Sequence, residues 1–338
     1  MGISMILVMM FHVASDQDMP FYNLLHLGNI GVDMFLFLSG IGLWFSWTKN
    51  SSLLKFYRRR LMRILPASII VFSFYYIPDY FGVSISDLFD VAKMQEAIEN
   101  KDVTLSNIAY LIANILIRFS FWRSGAGLFW FIPAILAMYL FAPFYMELIR
   151  RHPDYRWLAI AAIIWATLVR FVPTLQSSIG HLTIFWERIP IFLIGLNFGE
   201  IVREKRPIES STKYLLIIIC CLSLWLGVRG ESLSMFIVRM MYIPLSISTL
   251  LLLCYMFSAC TFSFSPIYRF FSFVGGISLE VYLVHEHFIL GHLTRLGWGY
   301  LSTLLVLIIL SLPTAWILNK SVVILKKTMI RILRQNRK

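Results

Sequence analysis

Charge is what this chain has least of. Asp, Glu, Lys and Arg together make up only 14% of its 338 residues, where a soluble domain carries about 25%, so an ordinary soluble globular protein is excluded. Acids are scarcer still, 18 against 30 Lys and Arg, which leaves a net charge of +12. The basic residues lie between apolar runs, as in cytoplasmic membrane loops facing anionic headgroups, so the expected partners are membrane lipids and not nucleic acid. Cysteine is limited to Cys220, Cys221, Cys254 and Cys260. None stands at metal-ligand spacing with a histidine, so they read as small packing residues, with no disulfide and no metal site expected. No small-residue cleavage site follows the first apolar run, so a removed signal peptide is not expected. There is no internal repeat and no separate soluble domain.

What is present is apolar surface in long runs, 59% of the residues. The runs predict an all-α, polytopic membrane helix bundle that occupies residues 1–338 as a single domain. About ten spans are expected, at 1–14, 28–47, 64–81, 128–147, 157–172, 184–201, 214–228, 235–257, 271–291 and 299–323. Segment 104–121 is apolar but short and closes on Arg118, Trp122 and Arg123, so it reads as an interfacial or re-entrant helix. Loop charge supports the count. Lys49, Lys55, Arg58, Arg59, Arg60 and Arg63 fill one connection; Arg150, Arg151 and Arg156 fill another; Arg203, Lys205, Arg206 and Lys213 fill a third. The tail adds Lys326, Lys327, Arg331, Arg334, Arg337 and Lys338. Residues 172–183 have no Lys or Arg, and 79–103 is mostly acidic. This alternation places both termini in the cytoplasm.

Polar groups inside spans are costly, which makes each a functional question. His12, Asp33, Glu187, Arg188, Arg239, His285, Glu286 and His287 are the ones that matter. In the ten-span topology His12 and Asp33 both lie roughly 5–8 Å below the outer surface, at about 1.5 Å per residue. Two readings stand: a carboxylate that orients a histidine acting as general base on a hydroxyl, or a structural pair. Arg188 lies near the outer end of its span and could hold an oxyanion or an acidic sugar, with Glu187 as its neutralising neighbour. The run KFYRRRLMRILP lies at the opposite face. There Arg60 and Arg63 share one side of a helix, with Arg59 beside them; such a cluster either clamps phosphates or simply anchors the helix.

Five stretches taken in order, GNIGVDMFLFLSG, YRRRLMRILP, LFWFIPAILAMYLFAPF, ERIPIFLIGLNFG and GISLEVYLVHEHF, resemble the bacterial membrane acyltransferase family three, which includes O-antigen and capsule O-acetyltransferases. The resemblance spans almost the whole chain. It implies an acyl-CoA donor, usually acetyl-CoA, bound at the cytoplasmic side, with its pantetheine arm reaching into the bundle. His12 takes the place of the family's catalytic histidine in the first span, and Arg60 and Arg63 that of its Arg-x-x-Arg pair. Asp33, Ser39, Trp130, Tyr139, Arg188 and His285 fall within matched signatures, and Glu286 follows His285 in the last of them.

The expectation is therefore an O-acyltransferase of the bacterial inner membrane that esterifies an envelope polysaccharide or a lipid-linked sugar. His12 would be the base and Asp33 its orienting acid. Arg59, Arg60 and Arg63 would hold the acyl-CoA phosphates, and Arg188, His285, Glu286, Trp130 and Tyr139 would line the acceptor side. The rival is a saccharide or lipid-precursor transporter, which intramembrane charges also suit, although neither an inverted repeat nor paired broken helices are visible. One departure concerns the start. The family's basic residue eleven positions before the histidine falls at Met1, and 1–14 is short for a span of roughly 20 residues. The expectation is that the first helix is truncated and the native chain begins upstream.

Overall fold

The computed structural model describes residues 1–14, 21–101, 104–125, 127–204, 209–229, 234–259 and 266–335. Lys205, Arg206, Cys260, Arg337 and Lys338 lie outside the described residues. The described elements are all helical.

Six helices are long and apolar enough to cross a bilayer: Tyr22–Lys49, Leu53–Phe81, Phe131–Arg151, Ser211–Arg229, Met235–Phe257 and Tyr300–Thr328. They coincide with six of the ten expected spans. Two more expected spans fall in bent pairs. Pro153–Phe171 meets Pro173–Trp186 at 93°, and Pro266–Gly276 meets Ser278–Leu296 at 66°. The first bend has a local cause: Val172 is extended (ψ 115°) before Pro173, since a residue preceding proline is driven out of the helical region. With each pair as one span the count is eight. The remaining two expected spans are shorter pieces. Gly2–Val13 has 12 residues. Segment 184–201 is interrupted at Glu187 and Arg188, between Thr183–Trp186 and Ile189–Arg203. Segment 104–121 contains the 13-residue helix Leu105–Ile117, too short to span.

Two kinds of contact build the bundle. Small residues bring backbones together where Ile30–Lys49 crosses Ile189–Arg203. A Cβ on Gly40 would lie 2.7 Å from the Leu196 amide nitrogen, and one on Gly195 would lie 2.9 Å from the Phe37 Cα. Close approach through small side chains is the usual basis of helix association in lipid. Large side chains then fill the core around Met5, Met9, Met34, Phe37, Phe56 and Phe72, all at most 1% exposed. Outward, Leu140, Phe141 and Phe144 on one helix and Leu301, Leu305 and Ile309 on another remain exposed. Such apolar stripes on the outside of an apolar bundle are lipid-facing.

The connection after Phe81 is polar and locally ordered. Lys93 and Ser84 hydrogen-bond Asp87 and hold its carboxyl down to about 2. Cys220, Cys221 and Cys254 are free thiols.

Candidate active site

The short first helix delivers His12 from its last turn. His12 Nδ1 lies 3.6 Å from Glu286 Oε1, and its ring stands edge-on to that of His285, with centroids 5.1 Å apart. His285 and Glu286 open a π-helical turn, His285–Leu290. Widened turns of this kind redirect neighbouring side chains and recur at functional sites. Here the turn divides three consecutive polar residues between two partners. His285 and Glu286 meet His12, while His287 meets the Tyr75 ring at 4.6 Å.

Hydrogen bonding assigns the tautomer of His285. Its Nδ1 lies 3.0 Å from the carbonyl oxygens of both Val281 and Tyr282. Carbonyls only accept, so Nδ1 carries the proton and Nε2 of the neutral ring is a bare acceptor. That Nε2 is fully buried and has no hydrogen-bond partner among the described residues.

Asp33 does not face His12. It is bound instead by Arg188 Nη1, and Arg188 Nη2 donates to Asn29 Oδ1 at 3.1 Å. Both members of the ion pair are buried. The register of the two helices separates them: Gly28 packs on Leu7 and Phe11, Gly31 on Ser4 and Val8, and Ser4 bonds the Met34 sulfur. Asp33 is therefore level with the first half of the first helix, about two turns from His12, and meets the start of Ile189–Arg203, where the opposite charge is. Arg188 is therefore committed to Asp33 and Asn29 rather than presented to an oxyanion or an acidic sugar. Glu187 pairs with Arg239 at 2.6 Å and not with its neighbour.

The arginine-rich helix start is also more committed than spacing suggests. Arg63 Nη1 donates to Glu280 Oε1 at 2.6 Å and its Nη2 to Glu280 Oε2 and to the Gly276 carbonyl, each at 3.2 Å. Asn319 adds a bond to the same carboxylate at 2.9 Å. Arg60 is free of any ion pair among the described residues. Its guanidinium lies 6.0 Å from the centre of the Tyr139 ring and 5.8 Å from that of Phe56. Arg59 donates back to the Lys55 carbonyl and is exposed.

A mainly apolar cavity of about 230 Å³ begins at Arg63, Ser39 and Tyr139 and reaches Phe131 and Tyr282. Ser39 and Tyr139 share a hydrogen bond of 2.7 Å. Tyr282 accepts from the Phe131 amide at 3.2 Å, and its ring is 6.1 Å from that of His285. Trp130 stands beside Phe131 but is not part of the lining. The histidines are not in the lining; the cavity leads from Arg63 to Tyr282, and Tyr282 is the neighbour of His285.

The model of the acyltransferase domain family matches residues 2–320. The chain belongs to acyltransferase family three. It is an enzyme, a multi-pass membrane acyltransferase that moves groups other than aminoacyl groups, and the transporter expectation falls with that assignment. No curated protein and no solved structure matches it. The family match takes in both ends of the cavity, from the first helix to Asn319. Sequence reasoning passed over two members of this acyltransferase's interior. Glu280 carries a signal that could have found it, an acid inside the apolar run SLEVYLV. Tyr282 carries none, because a tyrosine in a membrane helix is ordinary.

Proposed function

We propose that this acyltransferase carries an acyl group, in the first instance acetyl, from cytoplasmic acyl-CoA to a hydroxyl of an envelope polysaccharide or a lipid-linked sugar at the outer side of a bacterial inner membrane, with both chain termini in the cytoplasm. One observation carries this reading: an apolar cavity runs from Arg63 to Tyr282, whose ring lies 6.1 Å from that of His285, which in turn stands edge-on to His12. A slender pantetheine arm suits such a passage. Arg60, the freer guanidinium, would take CoA phosphates, with Arg59 in support and Arg63 braced by Glu280.

The chemistry balances with the groups present. The acceptor hydroxyl attacks the thioester carbonyl as its proton passes to Nε2 of His12, since Nδ1 faces Glu286. Glu286 offsets the charge of the imidazolium so formed, the role the sequence reading gave to Asp33. The C–S bond then breaks, an ester C–O bond forms, and the proton leaves His12 for the departing CoA thiolate. His285, with Nε2 bare, sits beside this path as a second acceptor. The test is release of CoA from acetyl-CoA by purified protein, together with acetylation of the acceptor in cells. Release and acetylation that are both lost in His12→Ala support the reading; near-normal acetylation in that variant would sink it.

A further inference from the structure

One buried cation that interacts with the carboxylate beside His12 is not one that the sequence singles out for catalysis. Arg118 closes the helix Leu105–Ile117 in the left-handed conformation, with φ 49° and ψ 59°. Glycine takes this position readily and a side chain only at a cost. The turn is held from both sides. Arg118 N–H donates to the Asn114 carbonyl at 2.9 Å, and the Asn114 side chain accepts from the Ser120 amide at 2.8 Å. The arginine is 7% exposed, and its Nε and Nη1 are buried with no hydrogen-bond partner among the described residues. No ion pair engages it among the described residues. Gly127 makes room for the guanidinium, since a Cβ there would lie 2.9 Å from Nη2.

A buried guanidinium with unused donors is costly unless an anion comes to it. Its surroundings say where. Arg118 interacts electrostatically with Glu286, Tyr282 and Tyr75. Glu286 is also the carboxylate beside His12. Arg118 is not part of the cavity lining, but it faces the carboxylate beside His12 and the tyrosine at the far end of the cavity from Arg63.

We propose that Arg118 is the anion-binding residue of the acceptor subsite, and that the acceptor carries a phosphate or carboxylate close to the hydroxyl that is acylated. This rests on the transferase reading above. The planar fork of a guanidinium matches both groups, because each presents two oxygens in one plane. Without Arg118, Glu286 would repel such an acceptor from the base it assists.

The experiment measures binding, so it needs no turnover. Purified protein in lipid nanodiscs is saturated with CoA to fill the donor phosphate sites. It is then titrated calorimetrically with methyl glucoside, methyl glucuronide and glucose 1-phosphate. At least one charged probe binds about tenfold to a hundredfold more tightly than the neutral sugar, and the tighter of the two names the source of the anion. Arg118→Gly suits the left-handed turn, so the fold survives, which the melting temperature verifies. In this variant the preference falls to about one, while Arg118→Lys retains part of it. Equal affinities for all three probes, or a preference that survives Arg118→Gly, overturns the proposal. CoA release from acetyl-CoA, run on the same preparation, reports separately on the transferase reading.

Discussion

Arg188 grips Asp33 in the interior of the bundle, and the pair is sealed from solvent at 2% and 1% exposure. Removing one partner of such a pair leaves an uncompensated buried charge, which costs about 3–5 kcal/mol, whereas replacing both by apolar groups of similar size is often neutral. Asp33→Ala is therefore expected to lower the melting temperature markedly and to reduce activity in proportion to folded protein. Asp33→Leu combined with Arg188→Met is expected to recover most of the stability. Thermal unfolding in detergent decides it. Stable Asp33→Ala protein that has lost turnover would return Asp33 to the catalytic centre.

Glu286 should behave in the opposite way. Its side chain is 34% exposed and its contact with His12 is 3.6 Å, so Glu286→Gln leaves the melting temperature unchanged within error. It removes the charge that offsets the imidazolium. The fall in turnover is then smaller than that of His12→Ala, for which a lost general base predicts about 10²–10⁴-fold. Steady-state kinetics of the two variants side by side make the comparison. A Glu286→Gln enzyme with wild-type turnover would remove Glu286 from the mechanism.

The contrast between these two acids shows what the sequence can carry. Spans, cationic loops and the family signatures are written in long apolar runs and in local order, and six helices stand where those runs predict. The register of one helix against the next, and its rotation about its own axis, are not legible, and these decide that Asp33 meets Arg188 while Glu286 meets His12. The π-turn at His285–Leu290 and the left-handed turn at Arg118 are invisible for the same reason. Each is fixed by tertiary packing and leaves no periodicity in the residues around it.

Arg60 and Arg63 separate under mutation even though they share a helix face. Arg60→Ala is expected to raise the KM for acyl-CoA while kcat at saturating donor stays near wild type, as for loss of a group that acts through binding alone. Arg63→Ala also leaves the fully buried carboxylate of Glu280 short of its cation, so it destabilises the protein as well. The double variant Arg63→Met with Glu280→Leu should regain stability without regaining donor affinity. Donor-dependence curves together with melting temperatures separate the two effects. An unchanged KM in Arg60→Ala would reduce this cluster to a topological anchor.

The number of crossings comes down to the pair bent at 93°, Pro153–Phe171 with Pro173–Trp186. Leu53–Phe81 leads from the arginine-rich end to the polar connection that contains Ser86, so Ser86 is expected outside. Phe131–Arg151 then returns to Arg150 and Arg151, which belong inside. If Leu158–Phe171 crosses outward, Ile189–Arg203 must come back, and Ser211 is cytoplasmic. If the bent pair turns round within the membrane, Ile189–Arg203 carries the chain outward and Ser211 is exposed to the exterior. Arg203, Lys205, Arg206 and Lys213 flank this connection, and basic residues favour the cytoplasmic side. The expected outcome is a crossing, with Ser211 inside. Both Ser86 and Ser211 are exposed and so are open to labelling. Single substitutions Ser86→Cys and Ser211→Cys, with Cys220, Cys221, Cys254 and Cys260 replaced by serine or alanine, are treated in intact cells with an impermeant maleimide. Ser86→Cys should label at once, and Ser211→Cys only after permeabilisation. Labelling of Ser211→Cys in intact cells would show that the bent pair turns back, which would leave the chain with an odd number of spans up to that point.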